Sequence, residues 1–127
     1  MSAKFIWNEL ITSDQKVSGD FFCELFGWER EEVDMGPIGI YTLFKEDGND
    51  VAGMMNPLTD YSRSRSPFWS AYIEVDDVDA YAAKVEELSG TIIAPPEDIP
   101  NVGRVCMLTD PKGAPISLMA PVAPPTE

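Results

Sequence analysis

Trp7 and Glu9 place an aromatic ring and a carboxylate two residues apart, a combination that could bind a ligand or transfer a proton. They lie two apart in a stretch typical of a strand, so both side chains are expected on one face of a sheet. A carboxylate beside an indole and partly removed from water tends to have a raised pKa and could then act as a general base. Glu9 is therefore the candidate catalytic residue. The alternative is that Glu9 lies at a rim or pairs with an arginine such as Arg104.

The chain contains no histidine, the side chain that most often serves as a base near neutral pH and as a ligand for transition metals. Serine-triad chemistry, zinc-hydrolase motifs and two-histidine iron sites are therefore excluded in their ordinary forms. The two cysteines, Cys23 and Cys106, are too few for a disulfide framework. Without histidine they also lack the usual activating partner, and we interpret both as small core residues.

Acidic residues outnumber basic ones by 22 to 9 in this chain of 127 residues, which gives a formal net charge of −13. Such a surface repels phosphate groups, so nucleic acid and anionic membranes are poor partners. A cationic or neutral small ligand suits this field better, although the acidity could also serve solubility alone. With no apolar run long enough to span a membrane and no secretory pattern at its start, the sequence predicts one cytoplasmic domain.

The chain also carries an internal repeat with a constant offset of 63 residues, which relates Asp14 to Asp77 and Gly27 to Gly90. Each half predicts a strand and a helix, at Lys4–Thr12 and Asp14–Phe26 and again at Phe68–Val75 and Asp77–Ser89. Three more extended segments follow each helix, at about Trp28–Val33, Gly39–Lys45 and Val51–Met55, and at about Thr91–Ala94, Gly103–Thr109 and Pro115–Met119. Each half therefore reads strand, helix, strand, strand, strand.

Each predicted helix has an apolar stripe that is expected to face the core. The stripes comprise Val17, Phe21, Phe22, Leu25 and Phe26 in the first helix, and Val78, Tyr81, Ala82, Val85 and Leu88 in the second. We divide the chain into a first module (about 4–56), a polar linker (about 57–67), a second module (about 68–120) and a frayed tail (121–127). The proline-containing segment Pro95–Gly103 is interpreted as a stiff loop.

Four segments resemble a known family. They read FIWNELITSD at residues 5–14, FFCELFGW at 21–28, YIEVDDV at 72–78 and DPKGAPISL at 110–118. They are similar to the module openings and the closing hairpin of glyoxalase-like proteins of the glyoxalase/bleomycin-resistance/extradiol dioxygenase (vicinal oxygen chelate) superfamily. The resemblance implies an α+β fold in which two βαβββ modules form a curved, cup-shaped mixed sheet with helices on the convex side.

Metal-dependent members of that family take one ligand from the first strand and one from the last strand of each module. The resemblance carries these positions to Trp7, Ala52, Ser70 and Ser117. An indole, a methyl group and two hydroxyls cannot hold a divalent cation as His and Glu do, so no metal and no other cofactor is expected. The indole of Trp7 could instead stack on a ligand or simply plug the vacated space.

Strand alternation, together with these positions, predicts the lining of the cup. The expected ligand-binding residues are Trp7, Glu9, Met54, Ser70, Tyr72, Ser117 and Met119, with Ala52 beside Met54. Apolar walls with a few orienting polar groups are typical of a site for an organic molecule.

Three functions are compatible with such a cup. The first is metal-free binding of a small organic molecule, cationic or aromatic, as in the bleomycin-resistance branch of the family. The second is an enzyme of the lyase or isomerase type that uses Glu9 as a base or a weakly bound metal. The third is an accessory module that works through oligomerisation. A homodimer is expected in addition, because open sheet edges favour pairing.

Overall fold

The computed structural model describes residues 3–121, and it follows the predicted succession of strands and helices in both halves. The elements are β1 (Lys4–Ile11), α1 (Gln15–Phe26), β2 (Glu29–Asp34), β3 (Ile40–Glu46), β4 (Asn49–Met55), α2 (Asp60–Arg63), β5 (Phe68–Glu74), α3 (Val78–Val85), β6 (Thr91–Ile99), β7 (Gly103–Thr109) and β8 (Pro115–Pro121). A 3₁₀ turn at Gly36–Ile38 precedes β3. The predicted frayed tail lies outside the described residues beyond position 121.

The chain divides into two compact units, one of residues 7–70 and one of the described residues before 7 and after 70. In the first unit the strand order is β2-β3-β4-β1, with β4 and β1 parallel and the other pairs antiparallel. In the second unit the order is β5-β8-β7-β6, with β5 and β8 parallel. The predicted α+β class with two βαβββ modules and mixed strand pairing is therefore confirmed.

Capping explains why the first helix begins and ends where it was predicted. The carboxylate of Asp14 accepts a hydrogen bond from the amide of Val17 at 3.0 Å, which satisfies one of the free amides of the first turn. At the other end Gly27 adopts φ 75°, and its amide donates to the carbonyl of Cys23. Only a residue without a Cβ adopts that left-handed conformation cheaply.

The face of α1 that packs on the sheet differs from the predicted one. Phe22 and Cys23 pack on a core whose buried members are Leu10, Phe44, Ala52 and Met54. The predicted stripe of Val17, Phe21 and Leu25 is wrong as a core face, because all three side chains are more than half exposed. The helix is apolar on both sides, and apolar spacing alone does not indicate which side meets the sheet.

In the second unit, α3 packs where the repeat predicted. Its core contains Val75, Val78, Cys106 and Leu118, and Asp77 caps the helix by accepting from the amide of Ala80 at 3.1 Å. The helix ends at Val85 rather than at Ser89. The amide of Gly90 donates to the carbonyl of Val85 at 2.8 Å, and Leu88 is 71% exposed.

Two predicted loops contain regular structure. Strand β6 continues through Pro95 and Pro96 to Ile99, so the interpretation of that segment as a loop is wrong. The prolines are tolerated because β6 pairs only with β7 at the end of its sheet, with register shifts on either side of Ala94. The predicted linker holds the four-residue helix α2, capped by Thr59. No helix within residues 3–121 is long and apolar enough to cross a membrane.

Candidate functional site

Strand β1 presents Trp7 and Glu9 on the face of the first unit's sheet that is opposite α1. Leu10 points the other way and belongs to the helix-facing core, so alternation puts Glu9 on the face without the helix. Glu9 is paired in register with Gly53 of the parallel strand β4. Glu9 is only 3% exposed, whereas Trp7 is half-buried.

The predicted orientation of Ala52 and Met54 is wrong. Residues paired in register share a face, and Glu9 is paired with Gly53 rather than with either of them. Ala52 and Met54 therefore face α1, where they are 3% and 1% exposed within the core. Met54, which was predicted to bind a ligand, packs under the helix.

Tyr41 of β3 crosses the space above Gly53. A Cβ placed on Gly53 would lie 1.8 Å from the phenol oxygen of Tyr41 and 2.4 Å from its Cζ. Any side chain at this position would displace the ring, so the glycine is what allows Tyr41 to reach across β4 toward β1.

A chain of hydrogen bonds joins Trp7, Tyr41 and Glu9. The indole Nε1–H of Trp7 donates to the phenol oxygen of Tyr41 at 2.8 Å. Tyr41 also hydrogen-bonds with the side chain of Glu9. An indole nitrogen can only donate and an ionised carboxylate can only accept, so the phenol accepts from Trp7 and donates to Glu9. We call these three residues the Trp7–Tyr41–Glu9 network.

The network keeps Tyr41 protonated. Burial is the largest cause that raises the pKa of the Tyr41 phenol far above its ordinary value, and the negative charge of Glu9 raises it further. The donated hydrogen bond from Trp7 lowers that pKa and the hydrogen bond with Glu9 raises it, but burial dominates. Tyr41 is consequently a neutral donor at all physiological pH values.

Glu9 does not lie at a rim, and Arg104 is not its partner. Glu9 is buried. Arg104, the suggested partner, forms ion pairs with Asp79 at 2.6 Å and with Asp98 at 3.0 Å. Arg104 is thus neutralised within the second unit, while Glu9 contacts a neutral phenol.

The remaining predicted ligand-binding residues lie on β5 and β8. Tyr72 is paired in register with Ser117, and Glu74 is paired with Met119, so these side chains share the face opposite the core residues Ile73 and Leu118. Ser117 is buried and Met119 is half-buried.

Ser70, also on β5, is 3% exposed, and its hydroxyl has no hydrogen-bond partner among the described residues. An unpaired buried hydroxyl costs about 1–3 kcal/mol. Ser70 is the one described side chain with this deficit.

The donor set does not fit a divalent metal. In the first unit, Gly53 is paired in register with Glu9. In the second unit, Ser117 is paired in register with Tyr72. Gly53 and Ser117 therefore occupy equivalent positions in the two units. The first-unit position expected at Ala52 thus moves to Gly53, which has no side chain at all. Across residues 3–121, no three His, Cys, Asp or Glu side chains are grouped so that they could hold a metal ion.

A hollow of about 320 Å³ opens on the surface of the second unit. Its lining residues are Asp98, Ile99, Pro100, Gly103, Arg104 and Ala120. None of the predicted site residues lines it, and its one cation, Arg104, is already ion-paired.

Tyr41 and Gly53 were not among the site residues predicted from the sequence. The available signal was Gly53 itself, because a glycine inside a strand often marks a position where another group approaches closely. The identity of that group depends on the register of three strands, which periodicity does not reveal.

Comparison with known proteins finds related sequences over nearly the whole described chain. Residues 4–118 match the model of the family described as Glyoxalase/Bleomycin resistance protein/Dioxygenase superfamily. A protein named as a glyoxylase, CFP32, from Mycobacterium tuberculosis is 35% identical over 113 residues, which cover 88% of this chain and 43% of that protein. The anthracycline biosynthesis protein DnrV of Streptomyces peucetius is 34% identical over 119 residues, which cover 85% of this chain and 43% of that protein. The chain thus spans less than half the length of these relatives.

Solved structures share the fold at low sequence identity. A hypothetical protein from Bacillus halodurans superimposes with a TM-score of 0.70 at 13% identity, covering 100% of both chains. A variant of methylmalonyl-CoA epimerase from Streptomyces coelicolor gives 0.66 at 16% identity, covering 96% of this chain and 100% of that one. These similarities establish the fold and carry nothing about the ligand.

Proposed function

The chain belongs to the glyoxalase/bleomycin resistance protein/dioxygenase superfamily, and within it we propose that this protein binds a small organic molecule without a divalent metal. The observation that carries the proposal is the pair of half-buried aromatic side chains, Trp7 and Tyr41, joined by a 2.8 Å hydrogen bond. The family resemblance assigns Trp7 to a position where metal-dependent members have a ligand. In this chain the position offers an aromatic face instead.

The proposed ligand is a planar aromatic cation. An indole face attracts flat rings and cations, and the attraction strengthens when water is excluded. The buried carboxylate of Glu9 adds negative charge behind the phenol, and the net charge of −13 favours cationic guests. One relative is named for anthracycline biosynthesis. A flat aromatic molecule would also suit the indole face of Trp7.

The test is a fluorescence titration of chelator-treated protein with proflavine, a planar aromatic cation. Trp7→Leu is expected to weaken binding by about 5- to 30-fold, because a partly desolvated stacking contact contributes about 1–2 kcal/mol. Trp69→Leu is the matched control, since Trp69 is 41% exposed and packs on Phe22 at a ring distance of 5.3 Å. Equal affinities of the Trp7→Leu protein and the wild type, or equal weakening by both substitutions, would contradict the proposal.

A second candidate function is proton abstraction by Glu9, and its burial favours this role. A carboxylate that is 3% exposed is removed from water, a condition that enzymes use to strengthen a carboxylate base. Glu9→Gln separates the two functions, because it keeps the shape of the side chain but cannot take up a proton. If Glu9 is a base, a bound carbon acid incorporates solvent deuterium with the wild-type protein and not with Glu9→Gln. If the protein only binds, neither form promotes exchange.

A further inference from the structure

We propose that Arg65 binds the carboxylate group of a small organic acid, in the segment that precedes β5. The guanidinium lies over the rings of Tyr61 and Phe68, with its Cζ 4.9 Å and 5.1 Å from the two ring centroids. We call these three residues the Arg65 clamp. The proposal does not depend on the ligand proposed for Trp7 or on the Trp7–Tyr41–Glu9 network.

Arg65 differs from the other arginines of the chain in its partners. The other three each form ion pairs with aspartates, which are Asp20 for Arg30, Asp60 for Arg63, and Asp79 and Asp98 for Arg104. Within residues 3–121, Arg65 contacts two rings and forms no ion pair, although the chain holds 22 acidic residues. Its charge is therefore available to a carboxylate that the described part of the chain does not supply.

The two rings form a corner that holds the guanidinium. Tyr61 and Phe68 meet edge to face, with their centroids 6.3 Å apart and their planes at 89°. The face of an aromatic ring attracts a cation, because the ring quadrupole is negative there. Both rings are half-buried and Arg65 is exposed, so the guanidinium is supported from the protein side and remains accessible from solvent. An arginine held in this way has already lost part of the rotamer freedom that binding would otherwise cost.

Regular structure positions both rings of the clamp. Tyr61 lies in α2, which begins where the amide of Ser62 donates to Oγ1 of Thr59 at 3.0 Å. Phe68 is the first residue of β5. The rings are thus fixed by a capped helical turn on one side and by a strand on the other. Arg65 lies on the short segment between them, so its guanidinium needs to span only a few residues to reach both rings.

The charge of this segment is opposite to that of the rest of the chain. Of the nine basic and 22 acidic residues, residues 57–68 hold two arginines and one aspartate, which leaves seven basic and 21 acidic residues elsewhere. At about 0.1 M salt, charges more than about 10 Å away are largely screened at an exposed site. A singly charged anion at Arg65 is therefore governed mainly by the nearest groups, and the net charge of the chain does not prevent its binding.

A carboxylate suits the clamp better than a phosphate group. The guanidinium presents its N–H groups in one plane and a carboxylate presents two oxygens in one plane, so two parallel hydrogen bonds can form. A phosphate monoester carries a charge of about −1.5 to −2 near pH 7, whereas a carboxylate carries a single charge. The remaining repulsion from a chain of net charge −13 is therefore weaker for the carboxylate. Polyanions such as nucleic acid are disfavoured still more strongly.

An NMR titration of the whole chain with benzoate at about 0.1 M salt tests the proposal. The side-chain Nε–H signal of Arg65 is identified by its loss in Arg65→Gln. Benzoate should shift this signal and leave that of Arg104, whose Nε donates to Asp79 at 2.6 Å. Measured at the backbone amides of residues 64–67, the affinity should fall at least about tenfold in Arg65→Gln, as loss of two charge-assisted hydrogen bonds predicts. No shift of the Arg65 signal with millimolar benzoate, or an unchanged affinity in Arg65→Gln, would overturn the proposal.

Matched variants separate a clamp from general attraction to positive charge. Arg63→Gln removes the other arginine of the segment, which is exposed and pairs with Asp60 at 3.6 Å, and should change the affinity by about twofold or less. Phe68→Leu keeps Arg65 but removes one ring, and should weaken binding by about two- to fivefold. Equal losses in Arg63→Gln and Arg65→Gln would show that only net charge matters and would overturn the proposal. Tighter binding of phenyl phosphate than of benzoate would overturn the choice of a carboxylate.

Discussion

Gly53→Ala is expected to destabilise the protein by about 3 kcal/mol, although it adds a single methyl group. The added Cβ would lie 1.8 Å from the phenol oxygen of Tyr41, and the nearest atoms belong to a ring that cannot bend out of the way. Tyr41 must then leave its position above β4. Its departure breaks the hydrogen bonds to Trp7 and Glu9 and leaves a buried carboxylate without that donor.

A double-mutant cycle with Tyr41→Ala measures this effect by urea unfolding. When the ring is absent, Gly53→Ala has nothing to displace and should change stability by less than about 0.5 kcal/mol. The coupling between positions 41 and 53 is therefore expected to exceed about 2 kcal/mol. An equal loss of stability in both backgrounds would show that Gly53 is needed for a reason other than Tyr41.

Gly19→Ala is the matched control for an added methyl group in the same unit. Its Cβ would meet the guanidinium of Arg30 at 1.9 Å and the Cε of Met54 at 3.1 Å, which are the ends of flexible side chains. Gly19 lies in the interior of α1, where alanine is favoured over glycine by about 1 kcal/mol. Gly19→Ala is expected to be neutral or stabilising.

Tyr41→Phe is expected to cost about 2 kcal/mol, although the ring and its packing remain. The change removes the acceptor for the Trp7 N–H and the donor to Glu9. The larger part of the loss comes from the carboxylate of Glu9, because a charged group at 3% exposure is costly when it loses a hydrogen bond. Adding Glu9→Gln to Tyr41→Phe removes that charge and should recover part of the loss. No recovery would show that Glu9 does not depend on Tyr41.

Tyr41→Phe should also change how stability depends on alkaline pH. Folding raises the pKa of Tyr41, so above about pH 10 the unfolded phenol loses its proton while the folded one keeps it. The unfolded state then binds fewer protons, and the free energy of unfolding falls by up to about 1.4 kcal/mol for each pH unit. This contribution is fully present below about pH 10 and is lost as the pH rises further.

The pH effect is measured as the slope of unfolding free energy between about pH 9 and 11. The wild type should lose stability more steeply than Tyr41→Phe. Tyr61→Phe serves as control, because Tyr61 is a half-buried tyrosine of the same unit that packs on Phe68 and Arg65. Slopes that are identical in the wild type and Tyr41→Phe would contradict the burial of the phenol.

Local chemistry made the elements of the fold predictable. The caps at Asp14 and Asp77 and the left-handed Gly27 are set by a few neighbouring atoms, so their positions could be read from residue types. The 63-residue repeat carried the first module's pattern to the second. Helix α2 was missed because four residues are too few for a periodic pattern, and β6 was cut short because its prolines are tolerated at an edge.

The site was predictable only as far as alternation within one strand. Trp7 and Glu9 share the face away from α1, as alternation on β1 predicted, because neighbouring side chains of a strand must point oppositely. On β4 the predicted orientation was wrong by one residue, because Gly53 and not Met54 shares the face of Glu9. Register between strands is set by the packing of the whole sheet, and a shift of one residue exchanges the two faces. The same limit hid Tyr41, which reaches β1 across an intervening strand.

The most direct measurement is the proflavine titration of chelator-treated protein, repeated after addition of Ni²⁺, Zn²⁺, Mn²⁺ or Mg²⁺. If an aromatic surface at Trp7 binds the ligand in place of a metal, one probe molecule should bind per chain without metal. The affinity should be the same with each metal added. Stoichiometric uptake of one of these metals, together with probe binding that requires it, would show that the site is metal-dependent.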